Sequence, residues 1–158
     1  MELNELMTAF AETLGIEGIE VKEGICSMTI DDIPMDFTES PGGEAVIGAA
    51  VVGEPPPDKR EAFYEMLLEA NTQLYGTKGI ALGKSPDTGE IMLIGGLPFK
   101  GLELKEFCKS LDEFINKAEE WRETVENFRP AAEEAAVRDE EAAQFMKFGG
   151  NGPGFISV

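Results

Sequence analysis

The chain has 158 residues, 42% of them hydrophobic, with 31 acidic side chains against 13 basic ones and a net charge of -18. That length and composition suit one soluble domain with a real core and exclude disorder throughout. The charge makes nucleic acid and anionic membrane surfaces poor partners, since both bind through neutralisation by Lys and Arg.

Leu3, Leu6, Met7, Phe10 and Leu14 recur at three- and four-residue steps, which predicts a first helix stopped by Gly15. A short strand at Ile19–Val21, a turn at Lys22-Glu23-Gly24 and a second strand at Ile25–Ile30 follow. Asp31-Asp32 interrupts before Ile33, Met35 and Phe37 alternate with Pro34, Asp36 and Thr38, the pattern of a half-buried antiparallel strand. Pro34 lacks an N–H, so that strand is expected at a sheet edge or to begin late. Glu39–Gly43 predicts a loop, and Ala45–Val52 a strand packed closely against something.

Gly53 to Pro57 ends that strand. Asp58 with Glu61 has the form of a capping box for a second helix carrying Phe63, Met66, Leu67, Ala70 and Leu74 on one stripe. Ile80–Leu82 and Ile91–Ile94 flank the turn composition Ser85-Pro86-Asp87-Thr88-Gly89, which predicts a hairpin. From Leu104 to Phe128 apolar residues mark a long amphipathic helix, broken at Pro130. The stretch from Ala131 is alanine- and glutamate-rich and suits a helix with few apolar anchors; the Gly149–Gly154 linker and the apolar Phe155-Ile156-Ser157-Val158 end the sequence. The expected organisation is one domain over residues 1–129 and a C-terminal extension, helical then flexible, over 130–158. The expected fold is α+β: one antiparallel twisted sheet of about five strands with three helices, plus the extension.

There is no histidine, which removes the usual general base and the commonest metal ligand. Cys26 and Cys108 lie among apolar neighbours and suit buried free thiols. Asp31, Asp32, Asp36 and Glu39 form the one carboxylate constellation, and alternation along a strand would send Asp31 and Asp32 to opposite faces; solvated turn acids account for it better than a cation site. No enzyme activity, cofactor or metal is expected. The acidic start and the lack of an apolar run of about 20 residues point to a cytoplasmic protein without a membrane span.

Binding is easier to derive than chemistry. A sheet with helices on one face leaves the other face or an edge in need of cover, and the row Ile33, Met35 and Phe37, with Met28 nearby, is the candidate partner-binding surface. Residues 1–58 hold 13 acids and one base, whereas residues 59–102 hold five of each. An uncharged zone suits self-association, so Phe63, Met66 and Leu67 are the candidate homodimer contacts.

The element order, together with Leu14-Gly15-Ile16, Gly24 to Asp31, Leu67-Leu68-Glu69-Ala70-Asn71, Gly89-Glu90-Ile91-Met92-Leu93 and the Phe114, Ala118 and Trp121 positions, resembles the class I type III secretion chaperones. That group includes the chaperone of the translocated intimin receptor. The resemblance covers about residues 3–128. It implies a homodimer formed through the second helix and the hairpin, and a secreted effector as partner, held without ATP through an extended N-terminal segment that wraps the chaperone and adds a strand to its sheet. The alternative is a cytoplasmic regulatory or scaffolding protein of the same fold that binds a folded partner. The apolar tail at Phe155–Val158 is a candidate placeholder for the effector groove.

Overall fold

The computed structural model describes residues 2–74 and 79–149. The chain divides into two compact units, Met1–Asn127 and Phe128–Val158. The first holds α1 (Leu3–Leu14), β1 (Glu20–Lys22), β2 (Ile25–Ile30), β3 (Ile33–Glu39), β4 (Ala45–Gly53), α2 (Arg60–Leu74), β5 (Ile80–Lys84), β6 (Ile91–Pro98) and α3 (Leu104–Glu126). The second holds α4 (Ala131–Gly149). The proposed tail placeholder at Phe155–Val158 lies outside the described residues.

All neighbouring strands are antiparallel, in the order β1-β2-β3-β4-β6-β5. Among the described residues the sheet therefore has six strands, the short β1 expected at Ile19–Val21 included, against the five or so expected of the sheet as a whole. Two tight turns set the first registers. Glu23-Gly24 joins β1 to β2 with φ of 52° and 80°, and Asp31-Asp32 joins β2 to β3 with φ of 49° and 64°. Two consecutive residues at positive φ give a two-residue loop the hand that matches strand twist. Of the two alternatives that Pro34 offered, β3 is not an edge strand, since it lies between β2 and β4, but its ladder with β4 does begin late. Its proline is tolerated because β4 pairs with β3 only from Met35 onward, so the residue without an N–H sits outside that ladder.

Strict alternation sends Cys26, Met28 and Ile30 of β2, Ile33, Met35 and Phe37 of β3, Val46, Ala50 and Val52 of β4 and Ile91, Leu93 and Leu97 of β6 into the core. α3 crosses β4 and β6 on that side, and α1 contributes Leu3, Leu6, Met7, Phe10 and Ala11. Close approach of α3 depends on a paired glycine step, Gly48 of β4 opposite Gly95 of β6. A Cβ at Gly48 would come within 3.1 Å of the rings of both Phe37 and Phe114, and one at Gly95 within 3.3 Å of Phe114. The two glycines thus form a slot for Phe114, which meets Phe37 edge-on at 6.1 Å between centroids. Full burial of each such ring contributes about 1.5–3 kcal/mol.

Helix ends follow local chemistry. Glu2 with Glu5 and Glu103 with Glu106 form reciprocal capping boxes at the starts of α1 and α3, and Gly15 at φ 66° closes α1. α2 begins at Arg60, two residues after the expected cap Asp58, with Lys59 at φ 62° before it.

Candidate functional site: two sheet edges and an open face

The two edges of the sheet are treated differently. On β5, the Leu82 N–H donates to Oδ1 of Asn71 at 2.7 Å, and Nδ2 of Asn71 donates to the Leu82 carbonyl at 2.9 Å. A side-chain carboxamide carries one acceptor and a donor in one plane, as a residue of a neighbouring strand would, and so Asn71 stands in for a seventh strand. Tyr64 lies on the same stripe of α2 seven residues earlier, with Nζ of Lys84 of β5 5.6 Å from its ring centre. α2 therefore closes this edge.

The β1 edge has no such cover from a strand. β1 is the end of the sheet and pairs only with Ile25, Cys26 and Ser27, so β2 runs on through Met28, Thr29 and Ile30 without a strand on that side. Val21, on the core-side face, is 42% exposed, and Ile25, on the opposite face, is 40% exposed. A short edge flanked by accessible apolar side chains can take up an extended segment through main-chain hydrogen bonds.

The face of the sheet away from α3 is divided. Over β2 and β3, beyond Ile25, it is mostly polar, with the Ser27 hydroxyl donating to the Asp36 carboxylate at 2.6 Å. Over β4 and β6 it is apolar: Ile47, Ala49, Val51 and Met92 are half-buried and Ile94 is 42% exposed. On α2 Leu68 is exposed, at 68%.

These positions correct the residues expected from sequence. Ile33, Met35 and Phe37 are 0–2% exposed and Met28 6%, so this row is the core under α3, not a free binding surface. Their alternation signalled the buried face of β3, and the helix that hides it comes some 70 residues later in the chain. Phe63 and Leu67 are buried within the same chain and Met66 is half-buried, because the stripe that docks α2 on its own domain cannot also face a second copy. Leu68 lay just outside that stripe, and a large apolar residue on a polar helix face was the available signal. The run Ala45–Val52 carried another: apolar residues at both phases of a strand mean that both faces seek cover.

Asp31 and Asp32 form the β2–β3 turn, Asp36 faces Ser27 and Glu39 ends β3, so the four carboxylates do not converge. The turn is tied to α3 by the Arg122 guanidinium, which donates to the Asp31 carbonyl. A hydrogen bond to the Asp31 side chain, with burial and the negative charges of Asp31 and Glu123 adding to it, raises the Glu119 carboxyl above the usual range; Arg122 opposes this. Burial pushes the Cys26 thiol up, with Asp36 adding to it, and does the same to Cys108 beside Asp112. Both thiols are thereby kept protonated and poor as nucleophiles. Among the described residues no His, Cys, Asp or Glu group is placed to hold a metal ion, and no helix is long and apolar enough to cross a membrane.

Solved structures share the fold of this chain. The ExsC–ExsE complex superposes with a TM-score of 0.65 at 20% identity, covering 84% of this chain and 99% of that one. The HopA1–SchA chaperone–effector complex gives 0.59 at 19% identity, covering 76% and 92%. The Yersinia pestis type III secretion chaperone SycH, solved with a fragment of YscM2, gives 0.51 at 21% identity, covering 72% and 94%. No curated protein matches in sequence. A profile of the Tir chaperone protein (CesT) family matches residues 5–122, and the chain belongs to that family.

Proposed function

We propose that this protein is a type III secretion chaperone that holds the N-terminal segment of a secreted effector in extended form in the cytoplasm, without ATP and without enzymatic activity. The observation that carries this is the asymmetry of the sheet: Asn71 satisfies the β5 edge, whereas among the described residues no strand pairs with the outer side of β1, which is flanked by Val21 and Ile25. An effector strand laid beside β1 would gain main-chain hydrogen bonds, while alternate side chains reach the apolar flanks. Family membership and the structural likeness to chaperone–effector complexes support the same reading.

The protein acts as a homodimer in this proposal, and the contact is moved outward from Phe63 and Leu67 to Leu68 with Met66 and the open apolar face of β4 and β6. α2 and β6 lie in residues 59–102, where acids and bases balance, and β4 carries no charged residue, so two copies can meet there with little repulsion. The test has two parts. Affinity capture from the native host, followed by limited proteolysis, should yield a protected N-terminal fragment that is unfolded when released. A protected partner that is fully folded would instead favour a regulatory scaffold. Light scattering at micromolar concentration should give twice the chain mass, reduced to one chain by Leu68→Glu.

A further inference from the structure

Two cavities that share Phe99 lie beside the start of α1. The first, of about 450 Å³, is lined by Glu2, Leu3 and Asn4 at the head of α1, by Glu23 and Gly24 of the β1–β2 turn, and by Thr38, Glu39 and Phe99. It holds three carboxylates from three separate elements and no cation among its lining residues. The second, of about 240 Å³, is lined by Leu6, Phe99, Lys100, Gly101, Leu102, Leu104 and Phe107. Its one basic residue, Lys100, points its ammonium towards Glu44 at 3.9 Å. Its walls are apolar, with the Phe99 and Phe107 rings edge-on at 6.0 Å and Leu102 and Leu104 exposed at the rim.

The trough is held in place. The N–H groups of Phe99 and Lys100 both donate to the Glu44 carbonyl, and that of Leu102 donates to the Phe99 carbonyl. The surrounding field favours a cation, since residues 1–58 carry 13 acids and one base. Leu3 and Phe99 offer an apolar wall for the methylene stem of a Lys or Arg, whose head would then sit among Glu2, Glu23 and Glu39.

We propose that this trough reads one feature of the bound segment: a basic residue in the carboxylate cavity and, two positions away, an aliphatic side chain in the apolar one. Residues at i and i+2 of an extended chain point to the same side about 7 Å apart, which suits two cavities that share the lining residue Phe99. The inference rests on the proposed chaperone function, and it adds the chemistry of the segment selected. It also places selection at the turn end of β1, next to the edge that supplies unselective main-chain bonds.

Amide NMR with short probes tests it. The peptide acetyl-Ser-Arg-Ser-Leu-Ser-amide should shift the Gly24, Phe99 and Gly101 amides saturably, with affinity falling as salt rises. Replacing Arg by Glu, or Leu by Ser, should weaken binding at least about fivefold, as should Glu23→Gln with Glu39→Gln, or Leu102→Ser, on the protein side. These side chains are exposed, and unchanged spectra elsewhere establish that the variants are folded. Equal shifts from the Glu peptide, or shifts centred away from Phe99, would overturn the proposal. A separate probe, acetyl-Thr-Val-Thr-Val-Thr-amide, addresses the strand edge. If it fails to perturb Val21 and Thr29 while the first peptide binds, the β1-edge reading falls and the trough stands. The reverse pattern removes the trough alone.

Discussion

Replacing Asn71 by Ala isolates the device that distinguishes the two sheet edges. The change removes both hydrogen bonds to Leu82, of 2.7 and 2.9 Å, and leaves an N–H and a carbonyl of β5 without their partner at a part-buried position. Two bonds at a net 0.5–1.5 kcal/mol each come to about 1–3 kcal/mol. Alanine is the better helix former and returns up to about 0.7 kcal/mol. The expected net loss is about 1–2 kcal/mol. With a urea slope of roughly 1–3 kcal/mol/M, the midpoint should fall by about 0.5–1 M at fixed protein concentration. Local exchange gives the sharper readout, because the Leu82 amide should lose protection more than those of Leu93 or Ala50 in the interior strands. Asn71→Asp keeps the acceptor but turns an oxygen towards the Leu82 carbonyl, and should cost at least as much near neutral pH. A variant within 0.5 kcal/mol of the parent, with Leu82 exchange unchanged, would refute the claim that Asn71 closes this edge.

Three further outcomes follow from the same structure. Met35→Glu puts a carboxylate where the side chain is 2% exposed, so circular dichroism should show loss of the fold, not a folded protein with weakened binding. Asp32→Gly relieves a non-glycine residue at φ 64° in the β2–β3 turn and leaves the favoured Asp-Gly pair; thermal unfolding should show a gain of about 0.5–1 kcal/mol. Glu119 binds its proton more tightly folded than unfolded, chiefly through the hydrogen bond to Asp31. Its stabilising contribution is therefore complete below the unfolded value of about 4.3 and is lost as pH rises through the raised folded value. Glu119→Gln, which keeps a neutral donor, should match the parent at acid pH and exceed it in stability near pH 7. Identical pH profiles of urea unfolding would reject that account.

Much of the fold was legible in the sequence because its signals are local. Three- and four-residue spacing marked α1, α2 and α3, alternation marked β3, and the compositions at Glu23-Gly24, Asp31-Asp32 and Ser85–Gly89 marked turns. Those patterns reflect backbone geometry within a few residues, and they carried the resemblance to the chaperone family. What an apolar stripe faces is a different matter. Ile33, Met35 and Phe37 have the same alternation whether α3 covers them or a partner does, and only the slot made by Gly48 and Gly95 for Phe114 decides for α3. Phe63 and Leu67 likewise announced an apolar helix face without saying that it was needed at home, leaving Leu68 outside. The pairing of Asn71 with Leu82 joins a helix to a strand across 11 residues, and the trough around Phe99 brings together α1, the β1–β2 turn, β3 and the loop before α3. Such features depend on which faces pack against each other, a choice made by non-local burial that only the tertiary structure resolves.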